Sequence, residues 1–161
     1  SICKTNRECD NLACAAMLHD IGKLIVPSSI LDKPGKLTAE EFEKIKEHTS
    51  YGGELLKDVP GEMMEMARNI AMYHHERWDG KGYNKIKGNN INFYARYVSV
   101  IDVFDALISR RCYKEAWSLE QAYDEILNNS GTQFAPEAVK LFKEKYKELV
   151  DVYNKYPDLV D

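Results

Sequence analysis

The sequence predicts an all-α protein, a single helical domain. Apolar residues recur at helical spacing through most of the 161 residues, and this periodicity indicates amphipathic helices. No run alternates apolar and polar residues cleanly enough to predict a strand. Two patterns typical of helix starts begin at Thr38 and Ser118. The length fits one domain with a sizeable core.

The N-terminal half is predicted to contain three helices. The first covers residues 7–22 and ends at Gly22. A loop at 27–35 precedes the second helix, which Thr38 and Glu41 open as a capping box. Each of the three helices has an inward face that carries a histidine. These faces are Leu12, Ala15, Ala16 and His19; Phe42, Ile45, His48 and Thr49; and Met63, Ala67, Ile70 and His74.

The C-terminal half is predicted to contain three more helices after a loop at 80–90 that is rich in Gly and Asn. A long helix covers 93–110. Ser118 opens the next helix as part of a second capping box, and Gly131 ends it. Pro136 begins the last helix at a position that favours proline. The long helix is predicted to bring Val98, Ile101, Asp102 and Asp105 near one another in projection. The last helix carries an apolar stripe of Val139, Phe142, Tyr146, Leu149 and Tyr153.

Composition and charge exclude several classes of protein. With a net charge of −4 and a pI of about 5.6, the chain does not suggest a DNA-wrapping surface. It shows no secretory signal and no apolar run long enough for membrane insertion. The cysteines lack CxxC spacing, which predicts reduced thiols and a cytoplasmic location. A zinc site from Cys3, Cys9 and Cys14 is an alternative reading of the same residues.

Charge is unevenly distributed along the chain. Between residues 76 and 114, eight basic residues outnumber four acidic ones. Such a segment attracts a small anionic ligand. The alternative is an ordinary solvated face.

Six residues on or beside the inward faces could bind metal ions: His19, Asp20, His48, His74, His75 and Asp102. Carboxylate and imidazole together suit iron, manganese or zinc. Adjacent residues such as His74 and His75 diverge by about 100° around a helix. The pair is therefore predicted to serve two ions, with Asp20 bridging them. Two such ions generate a hydroxide and clamp a phosphoryl group. The alternative is that each histidine is a core residue with a satisfied hydrogen bond.

The motifs in this sequence resemble the HD-GYP family, a branch of the HD superfamily of metal-dependent phosphohydrolases. The resemblance is carried by LHDIGK at 18–23, His48, HHERWDGKGYN at 74–84 and VIDVFDAL at 100–107. It covers most of the chain and implies a helical fold of the HD-domain type. The implied activity is metal-dependent hydrolysis of cyclic di-GMP to linear pGpG, to GMP or to both, by a metal-bridged hydroxide.

The resemblance also implies roles for individual residues. The metal ligands are His19, Asp20, His48, His74, His75 and Asp102, and they would hold two or three divalent ions. Iron and manganese are expected, with zinc, nickel and magnesium as alternatives. Asp20 and Lys23 are the implied catalytic residues. The implied substrate-binding residues are Lys23, Arg77, Gly80, Gly82, Tyr83, Arg111 and Lys114.

Three departures from the family pattern stand out. Family members carry a further ligand on a helix before the HD motif, so residues 1–161 are expected to lack that helix as well as a regulatory domain. Asn84 replaces the proline of the GYP motif, which predicts a more mobile loop. Ala135 stands where an aspartate would cap the last helix, and this change forgoes about 1 kcal/mol. Cys112 similarly replaces a proline.

Other functions stay open at this point. One is phosphohydrolysis of another nucleotide by an HD-superfamily enzyme. The other is a catalytically silent signalling module, which the missing ligand and Asn84 would favour. The aromatic rings of Trp78 and Tyr83 either stack on guanine or pin the loop to the helices. The implied partners are an attached sensor or receiver domain, a diguanylate cyclase, and a second copy of the chain in a homodimer.

Overall fold

The computed structural model describes residues 2–109 and 116–156 of the chain. Those residues form helices and connecting turns without a β-strand, so the all-α prediction is confirmed. Short 3₁₀ turns lie at Ile21–Ile25 and Gly88–Asn90. The α-helices are α1 (Asn6–Ala16), α2 (Ser28–Leu31), α3 (Ala39–Lys46), α4 (His48–Leu55), α5 (Glu62–Tyr73), α6 (Phe93–Ile108), α7 (Leu119–Asn128) and α8 (Pro136–Lys155).

Both predicted capping boxes are present. At the start of α3, the Thr38 hydroxyl accepts the Glu41 amide at 3.2 Å, and the Glu41 carboxylate accepts the Thr38 amide at 2.7 Å. Ser118 and Gln121 make the equivalent pair of bonds before α7, at 3.1 and 2.9 Å. Each box satisfies amides that have no partner within the helix.

The predicted helix at 7–22 is shorter than expected, since α1 ends at Ala16. The chain then turns through His19 and Asp20 into the 3₁₀ turn, and Gly22 lies buried inside that turn. A Cβ on Gly22 would lie 1.9 Å from the His48 carbonyl oxygen. Glycine is therefore required here for a close backbone approach to α4, and it does not end a helix.

Three further boundaries differ from the sequence prediction. The helix that carries His48 is divided at Glu47 into α3 and α4, because the α3 ladder ends at Lys46. The predicted loop at 27–35 contains the single turn α2. The helix α7 ends at Asn128, three residues before Gly131, whose positive φ of 77° belongs to the following turn.

Two apolar clusters form the core, one on each side of α6. The first joins α1, α4 and α5, and its buried members are Ala15, Leu56, Met66, Ala67, Ile70 and Ala71. The second joins α6, α7 and α8, and its buried members are Val100, Phe104, Ile108, Ala122, Ile126, Phe134, Ala135, Ala138, Val139 and Phe142. The predicted stripe of α8 is confirmed, because all five of its residues belong to the second cluster or pack against it.

Ala135 makes no side-chain cap for α8, as expected. The residue is nonetheless only 3% exposed and belongs to the second cluster. Its methyl group therefore contributes packing at a position where an aspartate carboxylate would be desolvated.

Helices in the described part of the chain are too short or too polar to cross a bilayer.

Candidate metal centre

Four segments bring the six predicted metal ligands together where α4, α5 and α6 meet. The turn after α1 supplies His19 and Asp20, and α4 begins with His48. The pair at the end of α5 and Asp102 of α6 complete the set. Two groups of ligand atoms result, each with all of its atoms within 4.8 Å of one another. The first group is Asp20, His48, His74 and His75, and the second is His19, His74 and Asp102.

The imidazoles are oriented by backbone carbonyls. The Nδ1 atom of His19 lies 2.8 Å from the Ala16 oxygen, and that of His48 lies 2.6 Å from the Ile45 oxygen. His74 Nδ1 lies 3.1 Å from two carbonyl oxygens of α5. A carbonyl can only accept, so each Nδ1 carries a proton, and the Nε2 atoms of His48 and His74 present lone pairs to the centre. Metal-ligating histidines use this arrangement.

The contacts of Asp20 fit a carboxylate that bridges two ions. Its Oδ1 lies 3.3 Å from His48 Nε2 and 3.7 Å from His74 Nε2. Its Oδ2 lies 3.3 Å from the Nε2 of His19, a member of the other group. Each oxygen therefore faces a different group of ligand atoms.

Two observations show that these residues suit divalent ions. Asp20 Oδ1 is buried and has no hydrogen-bond partner, and such an atom calls for an explanation in a folded protein. The Nε2 atoms of His48 and His74 lie only 3.4 Å apart. With both protons on Nδ1, neither Nε2 can donate to the other. A cation between the nitrogens and the carboxylate resolves both features, and a nitrogen and oxygen donor set suits iron, manganese or zinc.

The electrostatics of the centre are those of a cation site. Hydrogen bonds to Asp102 and Asp20 raise the pKa of His19 to about 10. Burial lowers the pKa of His74 to about 3 and that of His75 to about 4. Burial alone would raise the pKa of Asp20, but hydrogen bonds from His19 and Lys23 outweigh it and lower that pKa. His74 and His75 are thus neutral and Asp20 and Asp102 charged, as metal binding requires, whereas His19 must release a proton when it binds a metal.

The rings of His74 and His75 do not diverge as expected, whereas binding of two ions by the pair stays a prediction. Their ring centroids lie 4.0 Å apart, and both residues belong to the first group. The reason is that α5 ends at Tyr73, so His75 lies in the turn after the helix and the helical angle of about 100° does not apply. His74 belongs to both groups of ligand atoms, so it lies between the two candidate ion positions.

Lys23 lies beside the centre in the 3₁₀ turn. Its ammonium forms an ion pair with Asp20 Oδ2, and 42% of its side chain is exposed. Lys23 is therefore near enough to the centre, and open enough, to meet a phosphate. Arg111 and Lys114, the other predicted phosphate contacts, lie outside the described residues, as does Cys112.

The loop after the histidine pair folds back over the centre. The Tyr83 ring lies 4.7 Å from the His75 ring at an angle of 36°, and burial raises its pKa. A Cβ on Gly82 would lie 2.5 Å from the Glu76 Cα, so glycine permits the close approach. Gly80 has a positive φ of 81° and makes the turn.

Other loop residues bind the loop to neighbouring parts of the chain, and a role of Arg77 at the substrate stays a prediction. The Arg77 guanidinium contacts both oxygens of Asp79 at 3.0 and 3.2 Å, and it donates to the Gln133 side chain at 3.0 Å. The amides of Trp78 and Asp79 donate to the chain before α8. Trp78 also packs against the second core cluster, with the Arg96 guanidinium 6.0 Å from its ring. For Trp78 the structure favours the loop-pinning reading.

Glu76 is the residue of this loop that the sequence interpretation missed. It is 4% exposed and accepts hydrogen bonds from Asn84 and Ile86. Asn84 makes hydrogen bonds with Glu76 and with the Met72 carbonyl, while the greater mobility expected of this loop stays a prediction. The available signal was an acid placed directly after two histidines in an otherwise basic segment.

An apolar cleft of about 760 Å³ adjoins the second group of ligands. It runs between α1, α6 and α8, and His19 and Asp102 lie at its edge. The side of the centre nearest α1 is therefore open to a large cavity.

The fold and centre define a helical domain with a cluster of histidine and aspartate residues shared among four segments. A model of the HD domain family matches residues 3–138. The chain therefore belongs to the HD domain family, and within it to the HD-GYP branch that its motifs indicate.

Comparisons with individual proteins agree with this assignment. The chain is 41% identical over 152 residues to 3'3'-cGAMP-specific phosphodiesterase 2 of Vibrio cholerae, covering 94% of this chain and 29% of that protein. It is 46% identical over 145 residues to a cyclic di-GMP phosphodiesterase of Thermotoga maritima, covering 89% and 39%. The chain thus spans about a third of the length of these relatives.

A solved structure shares the fold. The cyclic GMP-AMP specific phosphodiesterase V-cGAP3 of Vibrio cholerae superimposes with a TM-score of 0.67 at 16% sequence identity. The match covers 92% of this chain and 41% of that one. The predicted HD-type helical fold is confirmed.

Proposed function

We propose that the protein is a metal-dependent phosphodiesterase that hydrolyses cyclic di-GMP to linear pGpG, to GMP or to both. The observation that carries this proposal is the pair of ligand groups that share His74, with one oxygen of Asp20 directed toward each group. Two divalent ions are expected at this arrangement, and the donor set favours iron or manganese over magnesium. Ions bound there supply a hydroxide nucleophile at neutral pH and act as Lewis acids on phosphoryl oxygens.

The chain's own residues have distinct tasks in this proposal. Asp20, His48 and His74 fix the positions of their donor atoms through the contacts described above. Lys23 carries a positive charge beside Asp20, where it stabilises the negative charge that develops on a phosphoryl group. Tyr83 lies against the His75 ring, and together with Gly82 it forms one wall of the substrate mouth.

A second substrate is favoured by a specific observation. The relative that covers 94% of this chain is named for 3'3'-cGAMP, whereas the relative from Thermotoga maritima is named for cyclic di-GMP. Both molecules are cyclic dinucleotides with two phosphodiester bonds. Both molecules offer the centre the same phosphodiester group. Residues at the substrate mouth, rather than the metal ligands, are therefore expected to determine which of the two is preferred.

The test is turnover by protein prepared without oxygen and supplied with Fe²⁺ or Mn²⁺. Cyclic di-GMP, 3'3'-cGAMP and a simple aryl phosphodiester are offered separately, and products are separated by chromatography. We expect linear dinucleotide or GMP from cyclic di-GMP. The Asp20→Asn variant should lose at least about 100-fold in rate, because loss of a residue that merely supports a ligand already costs about 10- to 100-fold and Asp20 is a proposed ligand itself. Asp10→Asn, a change at an exposed position on α1, should retain the rate of the parent.

The rival functions predict different results. Cleavage of the aryl diester or of another nucleotide, with both cyclic dinucleotides ignored, would identify an HD phosphohydrolase of other specificity. A protein that binds little metal and cleaves nothing would be a silent module, whose partner binding is indifferent to Asp20→Ala. Either result overturns the proposal.

The partners are proposed on the same basis. A sensor or receiver domain is expected to control the centre, since the relatives are about three times as long as the matched region. A diguanylate cyclase partner and a homodimer stay predictions.

A further inference from the structure

Glu76 is a buried carboxylate with an unusual set of partners. Only 4% of the residue is exposed. Its Oε1 accepts the Asn84 backbone amide at 2.6 Å and the Asn84 side-chain amide at 3.0 Å. Its Oε2 accepts the Ile86 amide at 2.9 Å. No lysine or arginine of the described residues forms an ion pair with it. A buried charge is costly unless it is hydrogen-bonded, and here all three hydrogen bonds come from one returning segment of chain.

That returning segment carries Tyr83 onto the centre. Tyr83 directly precedes Asn84, and its ring lies 4.7 Å from the His75 ring and 6.4 Å from the His48 ring. Gly82 lets the backbone pass against Glu76 without a clash. The three bonds to Glu76 therefore fix the chain at the point where an aromatic ring meets a candidate metal ligand.

Asn84 supplies two of the three bonds, and its side chain also donates to the Met72 carbonyl at 3.2 Å. A proline at this position would have no amide hydrogen to donate. The segment is thus held by hydrogen bonds from Asn84, and these bonds can break and form again.

We propose that Glu76 is a positioning residue for the metal centre. With Asn84 and Ile86 it forms a latch that holds Tyr83 on the His75 imidazole, and the latch thereby sets the orientation of that imidazole and one wall of the substrate mouth. The effect on turnover rests on the proposed function. The effect on the orientation of the His75 imidazole is independent of the proposed function.

The first test observes His75 without any substrate. The four histidines give four ring Cε1–Hε1 signals in an NMR spectrum of metal-free protein, and the His75 signal is assigned by its loss in His75→Gln. Tyr83→Leu removes the aromatic ring and gives a reference shift. We expect Glu76→Gln and Asn84→Ala to move the His75 signal in the direction of that reference. Glu62→Gln, at an exposed position on α5, should leave the signal unchanged.

The outcomes decide the proposal. It is overturned if folded Glu76→Gln and Asn84→Ala proteins keep the His75 signal of the parent while Tyr83→Leu moves it. It is equally overturned if Tyr83→Leu has no effect, because the rings are then not stacked. Should Glu76→Gln fail to fold, Asn84→Ala decides alone, since its side chain is exposed.

The second test measures turnover and metal content together. If the parent cleaves a cyclic dinucleotide, Glu76→Gln should lower kcat/KM by roughly 10- to 100-fold, as small displacements of positioned groups do. Asn84→Ala should act mainly by raising KM, with metal content unchanged. Parental kcat and KM in both variants would contradict a positioning role. If the parent cleaves nothing, the proposed function fails while the NMR result on the latch still stands.

Discussion

Replacing Gly22 with alanine should damage the metal centre without touching a ligand. The new Cβ would lie 1.9 Å from the His48 carbonyl oxygen and 2.4 Å from the Gly52 amide nitrogen. Ordinary contact begins at 3.4 Å, so the start of α4 must move away by about 1.5 Å. Both neighbours are backbone atoms and cannot rotate aside. The movement separates His48 from Asp20, whose atoms lie 3.3 Å apart.

The expected magnitude follows from this geometry. Overpacking a core site costs about 1–3 kcal/mol, and the upper end applies because backbone must shift. The displaced histidine should weaken metal binding by roughly 10- to 100-fold, the range seen when support for a ligand is lost. Urea unfolding of metal-free protein measures the first quantity, and a metal titration measures the second.

Gly53→Ala is a matched control, because it adds a methyl group to a buried glycine of α4 itself. Its Cβ would meet the Met72 side chain at 2.4 Å, and a flexible methionine can move aside at lower cost. We expect a smaller loss of stability and near-parental metal affinity. The reasoning would be refuted if Gly22→Ala bound metal as tightly as the parent, or if both alanine variants had the same effect.

Two further predictions concern stability. Ser118→Ala removes the cap of α7 and should lower the free energy of unfolding by about 1 kcal/mol. Metal affinity should be unchanged, because no proposed ligand lies on α7; a large loss of metal would show that α7 supports the centre. Bound metal should itself stabilise the fold by roughly 2.7 kcal/mol per site at about 100 times the dissociation constant. Thermal melts with metal and with chelator measure this gain, which Asp20→Asn should reduce; equal melts in both solutions would contradict it.

The identities of the candidate ligands could be predicted from the sequence, but their grouping could not. Inward stripes and short motifs pointed to all six residues that the structure brings together. The assignment of His74 and His75 to different ions assumed a continuing helix. Whether a helix continues past Tyr73 depends on the loop that folds back over its end, and the helical pattern before Tyr73 does not indicate that contact.

Helix starts were more predictable than helix ends. The capping boxes at Thr38 and Ser118 are local patterns of side chain and backbone, and both are confirmed. The end of α1 at Ala16 was missed because no local residue forces it. The turn that follows is stabilised by burying Gly22 against α4, a contact between segments far apart in sequence.

The roles within the loop at 76–86 depend on partners that the sequence does not reveal. Arg77 was expected at the substrate, yet its guanidinium is engaged by Asp79 and Gln133. Arg77 and Gln133 lie far apart in the sequence, so the local pattern around Arg77 does not indicate their contact. The sequence interpretation assigned no role to Glu76, which the structure shows to be buried.

The most direct test of the central claim is a count of metal ions per chain. Metal-free protein is titrated with Mn²⁺ without oxygen, and bound metal is measured by elemental analysis and calorimetry. The account predicts two ions for the parent. His75→Ala should weaken one of them, Asp102→Ala should weaken the other, and His74→Ala should weaken both, because His74 belongs to both ligand groups. A parent that binds one ion or none, or a His74→Ala variant that retains two tightly bound ions, would contradict the account.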